Sequence, residues 1–329
     1  MEELNNKTVL ITGGTGSFGK NFAKFLLKNY QLKKLIIFSR DELKQFQMQK
    51  ELIDYQETLR FFIGDVRDLQ RLQRAFNGVD IIIHAAALKQ IPIIEYNPFE
   101  AVKTNIIGSQ NVINAAIDQK VEKVLLISTD KAAQPINLYG STKLCAEKLF
   151  INGNVYSGGK TKFSCVRYGN VLGSRGSIIE TLLNSRDAEE VYITDELMTR
   201  FWITLRQSFD LVLFALDKMR GGEVFVPKIP SMKLVDLFEA ITPKAKRKVI
   251  GIRPGEKLHE ILLTEEESRH SLELDKYYVI LPEGGDYNVD AQFESHIKAG
   301  KELPQGFCLI SHSNIEWLTN EDLIKLIEE

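Results

Sequence analysis

The chain has 329 residues, a length that allows one large α/β domain and a smaller lobe. Lysine and arginine number 42 and aspartate and glutamate 44, so the net charge of -2 predicts neither a nucleic-acid partner nor a membrane partner. Three widely separated cysteines favour a reducing compartment over a disulfide framework. Residues 1–8 carry no signal-peptide pattern and no apolar run approaches the ~20 residues of a membrane span, so we expect a cytoplasmic protein.

Short apolar, β-branched runs alternate with helical stretches through the first half of the chain. Strands are predicted over 8–12, 34–38, 60–63, 79–84, 121–128 and 163–168, with a first helix around 22–28. Runs such as VDIIIH and KVLLIS are apolar on both faces, which suits a parallel sheet covered by helices on both sides. The alternation predicts an α/β fold with a doubly wound parallel sheet of Rossmann type.

Beyond about residue 164 the pattern loosens into turns rich in glycine (Gly169, Gly173, Gly176). A helix over 208–219, a strand in GGEVFVP and a short helix over 232–241 follow. We expect these segments to weave between the sheet and a smaller C-terminal substrate-binding lobe. The predicted dinucleotide-binding domain comprises residues 1–170 and about 200–226, and the predicted lobe comprises residues 171–199 and 227–329.

The turn after the first strand, TGGTGSFG, fits both the G-x-G-x-x-G spacing (Gly14, Gly16, Gly19) and the G-x-x-G-x-x-G spacing, which begins at Gly13. Glycines at this place permit a tight turn and let backbone N–H groups and a helix N-terminus approach a pyrophosphate. Because the turn lies between a strand and a helix, it predicts a dinucleotide site that includes Gly13, Thr15, Gly16, Ser17, Phe18 and Gly19.

The end of the second strand bears on which dinucleotide binds. NAD sites usually carry an acidic residue there. This strand instead ends on Ser39 and Arg40, with Lys44 one helical turn beyond, so a hydroxyl and two cations are available to a 2′-phosphate. Ser39 or Asp41 could also cap the next helix, and both interpretations can hold together. The pattern predicts NADP, while Asp41 keeps NAD open as an alternative.

Small and polar residues at the ends of the next strands extend this predicted site. Asp65 and Val66 follow the third strand, where they would face the adenine, with helix capping as the alternative for Asp65. Ala85 and Ala86 follow the fourth strand and would let the backbone approach the cofactor closely. We expect His84, which precedes them, to be structural.

Tyr139 and Lys143 are four residues apart, so they share one face of a predicted helix. A lysine beside a phenol favours the phenolate and lowers the pKa of the phenol, which can then take an alcohol proton while hydride leaves for a nicotinamide. Y-x-x-x-K is common by chance, but Thr129 at a strand end and the glycine turn upstream favour redox chemistry. Asp130 and Lys131 follow Thr129; by themselves they would be a capping aspartate and an exposed lysine.

These motifs resemble the extended short-chain dehydrogenase/reductase superfamily and, within it, the inverting UDP-N-acetylglucosamine 4,6-dehydratases of pseudaminic acid biosynthesis. The sharper similarity rests on blocks from the start of the chain to about residue 263, namely SRDELKQ (39–45), GDVRD (64–68), HAAALKQIP (84–92), STDKAAQPINLYGSTK (128–143), VRYGNVLGSRGS (166–177), MTRFW (198–202), FVPKIPSMK (225–233) and GIRPGEKLHE (251–260).

The resemblance implies a three-step cycle on a UDP-sugar. Tyr139, with Lys143 and Thr129, would oxidise C4 of the sugar and pass hydride to NADP. Lys131 would then remove the C5 proton while Asp130 helps the 6-hydroxyl leave as water. Hydride would return to C6, and C5 would be reprotonated from the opposite face. A lysine base must be neutral, and we expect burial and nearby positive charges to lower the pKa of Lys131.

The resemblance also implies substrate ligands and an assembly. Lys89 and Asn170 would line the sugar and nicotinamide region, and Arg200, Arg253 and Glu256 would bind the nucleoside diphosphate. Family members suggest a closed homo-oligomer. Glu256 and His259 lack a third partner for a metal, so no metal site is predicted. Gln90 and residues 178–180 depart from the family pattern, which leaves the exact acetamido-sugar less defined than the reaction type.

Three alternatives remain at this point: a 4-epimerase, a dehydratase with a separate 5-epimerase role in capsule or lipopolysaccharide synthesis, and a protein that senses NADP without turnover. An epimerase needs the tyrosine but has no need of an acid/base pair beside Thr129. A sensor usually loses the tyrosine or the lysine, and both are present here.

Overall fold

The computed structural model describes residues 4–173, 177–283 and 289–328, so Gly176 of the predicted turns lies outside the described residues. The strands are β1 Thr8–Thr12, β2 Lys34–Ser39, β3 Leu59–Ile63, β4 Ile81–His84, β5 Lys123–Ile127, β6 Lys162–Val166, β7 Asn170–Val171, β8 Glu190–Ile193, β9 Thr199–Ile203, β10 Val224–Pro227, β11 Ser231–Lys233, β12 Lys246–Val249, β13 Ile261–Leu263, β14 Ser271–Glu273, β15 Tyr277–Ile280, β16 Lys301–Glu302 and β17 Leu309–Ile310.

Helices separate most of these strands. They are α1 Ser17–Asn29, α2 Glu42–Glu51, α3 Leu69–Ala75, α4 Ile91–Tyr96, α5 Pro98–Ala101, α6 Gly108–Asp118, α7 Leu138–Ser157, α8 Ile178–Leu183, α9 Leu205–Lys218, α10 Leu234–Ile241, α11 Glu265–Ser268, α12 Val289–Gln292, α13 Glu294–Ala299 and α14 Asn320–Glu328. Short 3-10 turns occur at Ile53–Tyr55 and Asp130–Ala132, and a π-helical turn occurs at Val102–Ile107. No helix in the described ranges is long and apolar enough to cross a membrane.

One large sheet organises the fold, in the strand order β3-β2-β1-β4-β5-β6-β10-β15-β14-β16. The strands from β3 to β10 are parallel, and β15, β14 and β16 add antiparallel pairs at one edge. The order β3-β2-β1-β4-β5-β6 is that of doubly wound dinucleotide-binding folds, which bind ligands where the order reverses, between β1 and β4. The predicted doubly wound sheet is therefore confirmed.

The central strands are apolar on both faces because both faces of the sheet are buried in the core. Every residue of β1 and β4 is buried, and α1 covers the sheet with Phe22, Ala23 and Leu26. Each fully buried side chain of this size contributes about 1.5–3 kcal/mol relative to exposure. Helix α9 starts at Leu205 rather than at the predicted residue 208, because Thr204 and Gln207 form a capping box.

A second apolar core holds the smaller lobe together. Sheet β11-β9-β7 and pair β12-β8 lie there with helices α8, α10 and α14. Its buried side chains include Ile179, Trp202, Met232, Leu237 and Phe238. The helix predicted over 232–241 begins only at Leu234, because Ser231–Lys233 form β11 and pair antiparallel with β9.

The division of the chain differs from the prediction near the C-terminus. Residues 227–329 were expected to lie in the smaller lobe, but β14, β15 and β16 belong to the large sheet. The reason is an open edge at β10: β15 pairs with it antiparallel, setting Phe225 opposite Val279, and both residues are fully buried. The C-terminal segment thus closes one side of the dinucleotide-binding sheet.

Candidate active site

A single cavity of about 1450 Å³ extends from the turn after β1 to Glu260. Of the predicted site residues, it is lined by Gly13, Thr15, Gly16, Ser17, Phe18, Gly19, Ser39, Arg40, Lys44, Asp65, Val66, Ala85, Ala86, Lys89, Thr129, Lys131, Tyr139, Lys143, Asn170, Arg200, Arg253 and Glu256. Asp130 does not line the cavity: it is fully buried behind Thr129 and Lys131, which do. The fold therefore collects distant segments around one space.

Glycines shape the end of the cavity near α1. Gly13 has φ +66, and a Cβ there would lie 2.9 Å from the backbone of Ala86. A Cβ at Gly19 would lie 2.6 Å from Gly14 Cα, so the first turn of α1 packs directly on the loop. Helix α1 begins with Gly16 as its N-cap and has no side-chain cap. The positive end of the helix dipole thus opens on the cavity, where a pyrophosphate would be stabilised.

Helix-capping residues and the predicted cofactor residues lie together after β2. Asp41 caps α2 by accepting from Lys44 N at 3.0 Å, and Lys44 Nζ lies 2.9 Å from the same carboxylate. The hydrogen bonds from Lys44 lower the pKa of Asp41. The Arg40 side chain is 55% exposed, with its nearest carboxylate oxygen, Asp65 Oδ2, at 3.6 Å. Asp65 itself bonds Arg67 at 2.8 Å. Of these three cations, Arg40 has the longest distance to a carboxylate of the chain, and its side chain is therefore the most available to a ligand.

Helix α7 carries Tyr139 and Lys143 into the cavity. Asn137 caps α7 by accepting from Gly140 N at 2.8 Å, and its amide donates to Gly255 O at 2.7 Å, which ties the helix to the RPGEK loop. A Cβ at Gly140 would overlap the carbonyl of Lys131, so only glycine lets the helix approach that turn. The two elements that carry the predicted chemistry are in direct contact.

Burial sets the titration of the tyrosine and the lysine. Lys143 is 3% exposed, its Nζ donates to Ile127 O at 2.9 Å, and burial lowers its pKa to about 8. Burial raises the pKa of Tyr139 to about 12, against the opposing charge of Lys131 and a hydrogen bond with Thr129. The pKa of the phenol is thus raised where the sequence led us to expect a lowered one, because desolvation outweighs the positive charge of Lys131.

Asp130 and Lys131, the predicted acid and base, form an ion pair on the 3-10 turn. Asp130 Oδ1 accepts from Thr129 Oγ1 at 2.9 Å and from Lys131 Nζ at 3.0 Å, while Oδ2 has no hydrogen-bond partner among the described residues. Burial raises the pKa of Asp130. The alternative of a capping aspartate and an exposed lysine is wrong, since Thr129 caps the turn and the Lys131 side chain is 21% exposed.

The charge on Lys131 differs from the expectation. Burial disfavours the ammonium, but the carboxylates of Asp130 and Glu260 outweigh it and raise the pKa of Lys131. The expectation of a lowered pKa rests on burial and on the positive charges of Lys143 and an oxidised nicotinamide, and it takes no account of the two carboxylates. Glu260, 2% exposed with Oε1 at 3.2 Å from Lys131 Nζ, was missed. It ends the GIRPGEKLHE block, but no local spacing connects it to Lys131.

The predicted substrate arginines have different environments. Arg200 is buried, and its guanidinium donates to three backbone carbonyls: Thr199 O at 2.7 Å, Leu258 O at 3.1 Å and Lys257 O at 2.9 Å. The Arg253 side chain is 60% exposed and lies 3.9 Å from Glu256. Burial lowers the pKa of Lys89. Arg253 therefore has the more available guanidinium for an anionic ligand, and Arg200 also holds the 257–258 backbone.

A doubly wound sheet, a glycine turn at its switch point, and a tyrosine and a lysine that line the cavity from one helix define an enzyme of the extended short-chain dehydrogenase/reductase class. A protein-family model described as polysaccharide biosynthesis protein matches residues 9–282. The chain belongs to this family.

Individual relatives are similar along the whole chain. An inverting UDP-N-acetylglucosamine 4,6-dehydratase of Campylobacter jejuni is 48% identical, with 98% of each chain covered. A UDP-glucose 4-epimerase of Rickettsia akari is 43% identical, with 98% of this chain and 95% of that protein covered. The solved structure of Pen from Bacillus thuringiensis is 38% identical, with a TM-score of 0.88 and 99% of each chain covered.

Proposed function

We propose that this protein is a UDP-N-acetylglucosamine 4,6-dehydratase that inverts C5 and forms a UDP-2-acetamido-2,6-dideoxy-L-arabino-hexos-4-ulose. The observation that carries this proposal is the buried pair of Asp130 and Lys131, with Nζ 3.0 Å from Oδ1, beside the tyrosine of the redox site. A plain 4-epimerase needs the tyrosine alone. The name of the Campylobacter jejuni relative supports the same reaction.

For the cofactor we propose NADP. The backbone around Gly13 and Gly19 leaves a cradle that a Cβ would fill, which fits a pyrophosphate. Ser39 and Arg40 would hold the 2′-phosphate, because Arg40 is half exposed and its nearest carboxylate contact is long. When bound, NADP supplies a hydride acceptor at C4 and a hydride donor at C6. Since the hydride is returned, the cofactor would stay resident rather than be consumed.

In the first step Tyr139 takes the proton of the sugar 4-hydroxyl. Its raised pKa makes the phenolate a strong base once formed, and charges nearby must stabilise it. Lys131 is the cation whose charge acts on the phenol, and Lys143, fixed on Ile127 O in the same cavity, would add to that stabilisation. Thr129 bonds both the phenol and Asp130, so it couples the redox site to the acid/base pair.

In the second step Lys131 acts as the base and Asp130 as the acid in the elimination of water across C5 and C6. Transfer of a proton from Lys131 to Asp130 would give a neutral amine and a carboxylic acid. Burial raises the pKa of Asp130 and so favours the acid, against the carboxylates that favour the ammonium of Lys131. The amine then removes the C5 proton, whose acidity the C4 ketone raises. The acid protonates the departing 6-hydroxyl, and water leaves. Thr129 and Lys131, which both line the cavity and bond Asp130, connect the carboxyl to the substrate space.

The resemblance to the inverting dehydratases also supports proposals about the pathway, the cellular location, the assembly and the substrate ligands. We propose that the product supplies pseudaminic acid synthesis, and that the enzyme is a cytoplasmic homo-oligomer that binds its nucleotide sugar through Arg253, Glu256, Lys89, Asn170 and Arg200. Glu256 lies 3.9 Å from Arg253, so the two can share the diphosphate-ribose region. Size-exclusion chromatography with light scattering tests the oligomer.

The reaction is tested by incubating the protein with UDP-N-acetylglucosamine in deuterated water and recording NMR spectra of the product. We expect a 4-keto-6-deoxy sugar with inverted C5 that carries deuterium at C5. A C4 epimer that still has its 6-hydroxyl would contradict the proposal and favour the activity named for the Rickettsia akari relative. Lys131→Ala is the matched control: this variant should still oxidise C4 of the sugar and reduce the cofactor, but it should eliminate no water.

A further inference from the structure

Glu260 is buried against the predicted base although no packing requirement explains a carboxylate there. Its Oε1 lies 3.2 Å from Lys131 Nζ and 3.7 Å from Arg200 Nε, and its Oε2 lies 3.9 Å from Lys257 Nζ. Oε2 is buried and has no hydrogen-bond partner in the described part of the chain. A buried carboxylate is costly unless cations compensate it, so its charge is the property to be explained.

The backbone of Glu260 is held firmly by a different segment. Glu260 N donates to Ser311 Oγ at 2.9 Å, and Ser311 N donates to Glu260 O at 2.9 Å. Ser311 Oγ also lies 2.6 Å from Thr199 Oγ1 on β9. These bonds fix the direction of the carboxylate from the C-terminal side of the molecule. Glu260 is therefore pre-organised toward Lys131 rather than drawn to it as a mobile surface charge.

The charged groups around Lys131 come from every element packed against it. Asp130 and Glu260 are the two carboxylates, while Arg200, Lys257 and Lys89 are cations and Tyr139 is a phenol. Without Glu260 a single carboxylate, Asp130, would face three cations beside Lys131. The ammonium would then lose one of its two close anionic partners, and the remaining cations would repel it.

We propose that Glu260 is a positioning residue for Lys131: it holds the amine nitrogen between two carboxylates and sets the pH at which that amine becomes a base. The catalytic part of this inference rests on the proposed function. When Lys131 takes the C5 proton, the C5–H bond breaks, an N–H bond forms, and the C6–O bond breaks as Asp130 gives its proton to the leaving water. The new ammonium lies beside Glu260, which stabilises it and favours proton abstraction.

The pairing is tested on the full-length protein without substrate, by competitive acylation of lysines with acetic anhydride. Mass spectrometry of the peptide that contains Lys131 gives labelling against pH. An opposite charge at this distance shifts a pKa by about 1–3 units, so Glu260→Gln should move the half-labelling pH of Lys131 down by that amount. Glu260→Asp, which keeps the charge, should restore most of the wild-type value. The surface substitution Glu265→Gln should cause no shift.

The catalytic consequence is measured as the pH dependence of water elimination from UDP-N-acetylglucosamine. In Glu260→Gln the rising limb of the water-elimination rate should move to lower pH by the same interval. A lower rate with an unshifted limb and unshifted labelling would mean a merely structural role and would overturn the inference. If the wild type does not convert this substrate, the proposed function fails, and the labelling shift alone still decides whether Glu260 controls Lys131.

Discussion

Replacing Lys131 with methionine removes the ammonium from two buried carboxylates. Asp130 loses a bond of 3.0 Å and Glu260 an ion pair of 3.2 Å, and the two side chains are 0% and 3% exposed. Removing one partner of a buried ion pair costs about 3–5 kcal/mol. Arg200 and Lys257, at 3.7 and 3.9 Å, still compensate Glu260, while Asp130 loses its ion-pair partner and interacts with Lys257 at longer range. We therefore expect Lys131→Met to lower the free energy of unfolding by about 3–5 kcal/mol near neutral pH.

The loss of stability should shrink as the solution is acidified. Burial already raises the pKa of Asp130, and removal of the ammonium raises it further above the unfolded value. A carboxyl with a raised folded pKa destabilises the fold above that pKa, because the unfolded state ionises more easily. This penalty disappears as the pH falls toward the unfolded pKa, where both states are protonated. At about pH 5 we expect less than half of the neutral-pH loss in Lys131→Met.

Urea unfolding followed by tryptophan fluorescence measures both quantities. Lys298→Met is the matched control, since Lys298 pairs with Glu294 on an exposed helix face with 73% of its side chain exposed. An exposed pair contributes less than about 1 kcal/mol, so the control should lose no more than that. A loss in Lys131→Met as small as in the control, or the same loss at both pH values, would refute the buried-pair account.

Three further changes test other parts of the cavity. Gly13→Ala should weaken dinucleotide binding at least about tenfold, as measured by calorimetry. The added Cβ would lie 2.9 Å from the Ala86 backbone, and the φ of +66 at this position is unfavourable for alanine. An unchanged affinity would contradict the proposed pyrophosphate site. Arg40→Ala should weaken NADP binding about tenfold or more and leave NAD binding unchanged, since a charge-assisted bond is worth about 1.5–3 kcal/mol; equal effects on both cofactors would refute its phosphate role. In the wild type, the rate of C4 oxidation should fall as pH rises past about 8, because Lys143 there loses the charge that stabilises the phenolate. Stopped-flow absorbance of the reduced nicotinamide measures this rate. A rate that keeps rising with pH would exclude that role of Lys143.

The parts of the fold that local pattern determines could be predicted from the sequence. Strands such as β4 and β5 are continuous apolar runs in the sequence. The glycine spacing after β1 indicates a tight turn, and Gly13 has the positive φ that such a turn requires. The parallel, doubly wound character of the sheet follows from the β-α alternation. Tyr139 and Lys143 could be paired because four residues is one helical turn.

The parts that depend on contacts between distant segments could not be predicted in this way. Strand β15 joins the large sheet because β10 leaves an edge, which no pattern near residue 277 reveals. Glu260 reaches Lys131 only through the packing of the C-terminal segment on β9. For the same reason the expected direction of the pKa shift of Lys131 was wrong: beside its chain neighbour Asp130, the carboxylate of Glu260 reaches it from a segment distant in the sequence.

In the proposed mechanism the enzyme removes a hydride from C4, eliminates water with Asp130 and Lys131, and returns the same hydride to C6. The most direct test uses UDP-N-acetylglucosamine deuterated at C4 and locates the deuterium in the product by NMR. The account predicts that the deuterium is found at C6 of a 4-keto-6-deoxy sugar, with no net change in the oxidation state of the bound cofactor. Deuterium that remains at C4, or that leaves with released reduced cofactor, would contradict it.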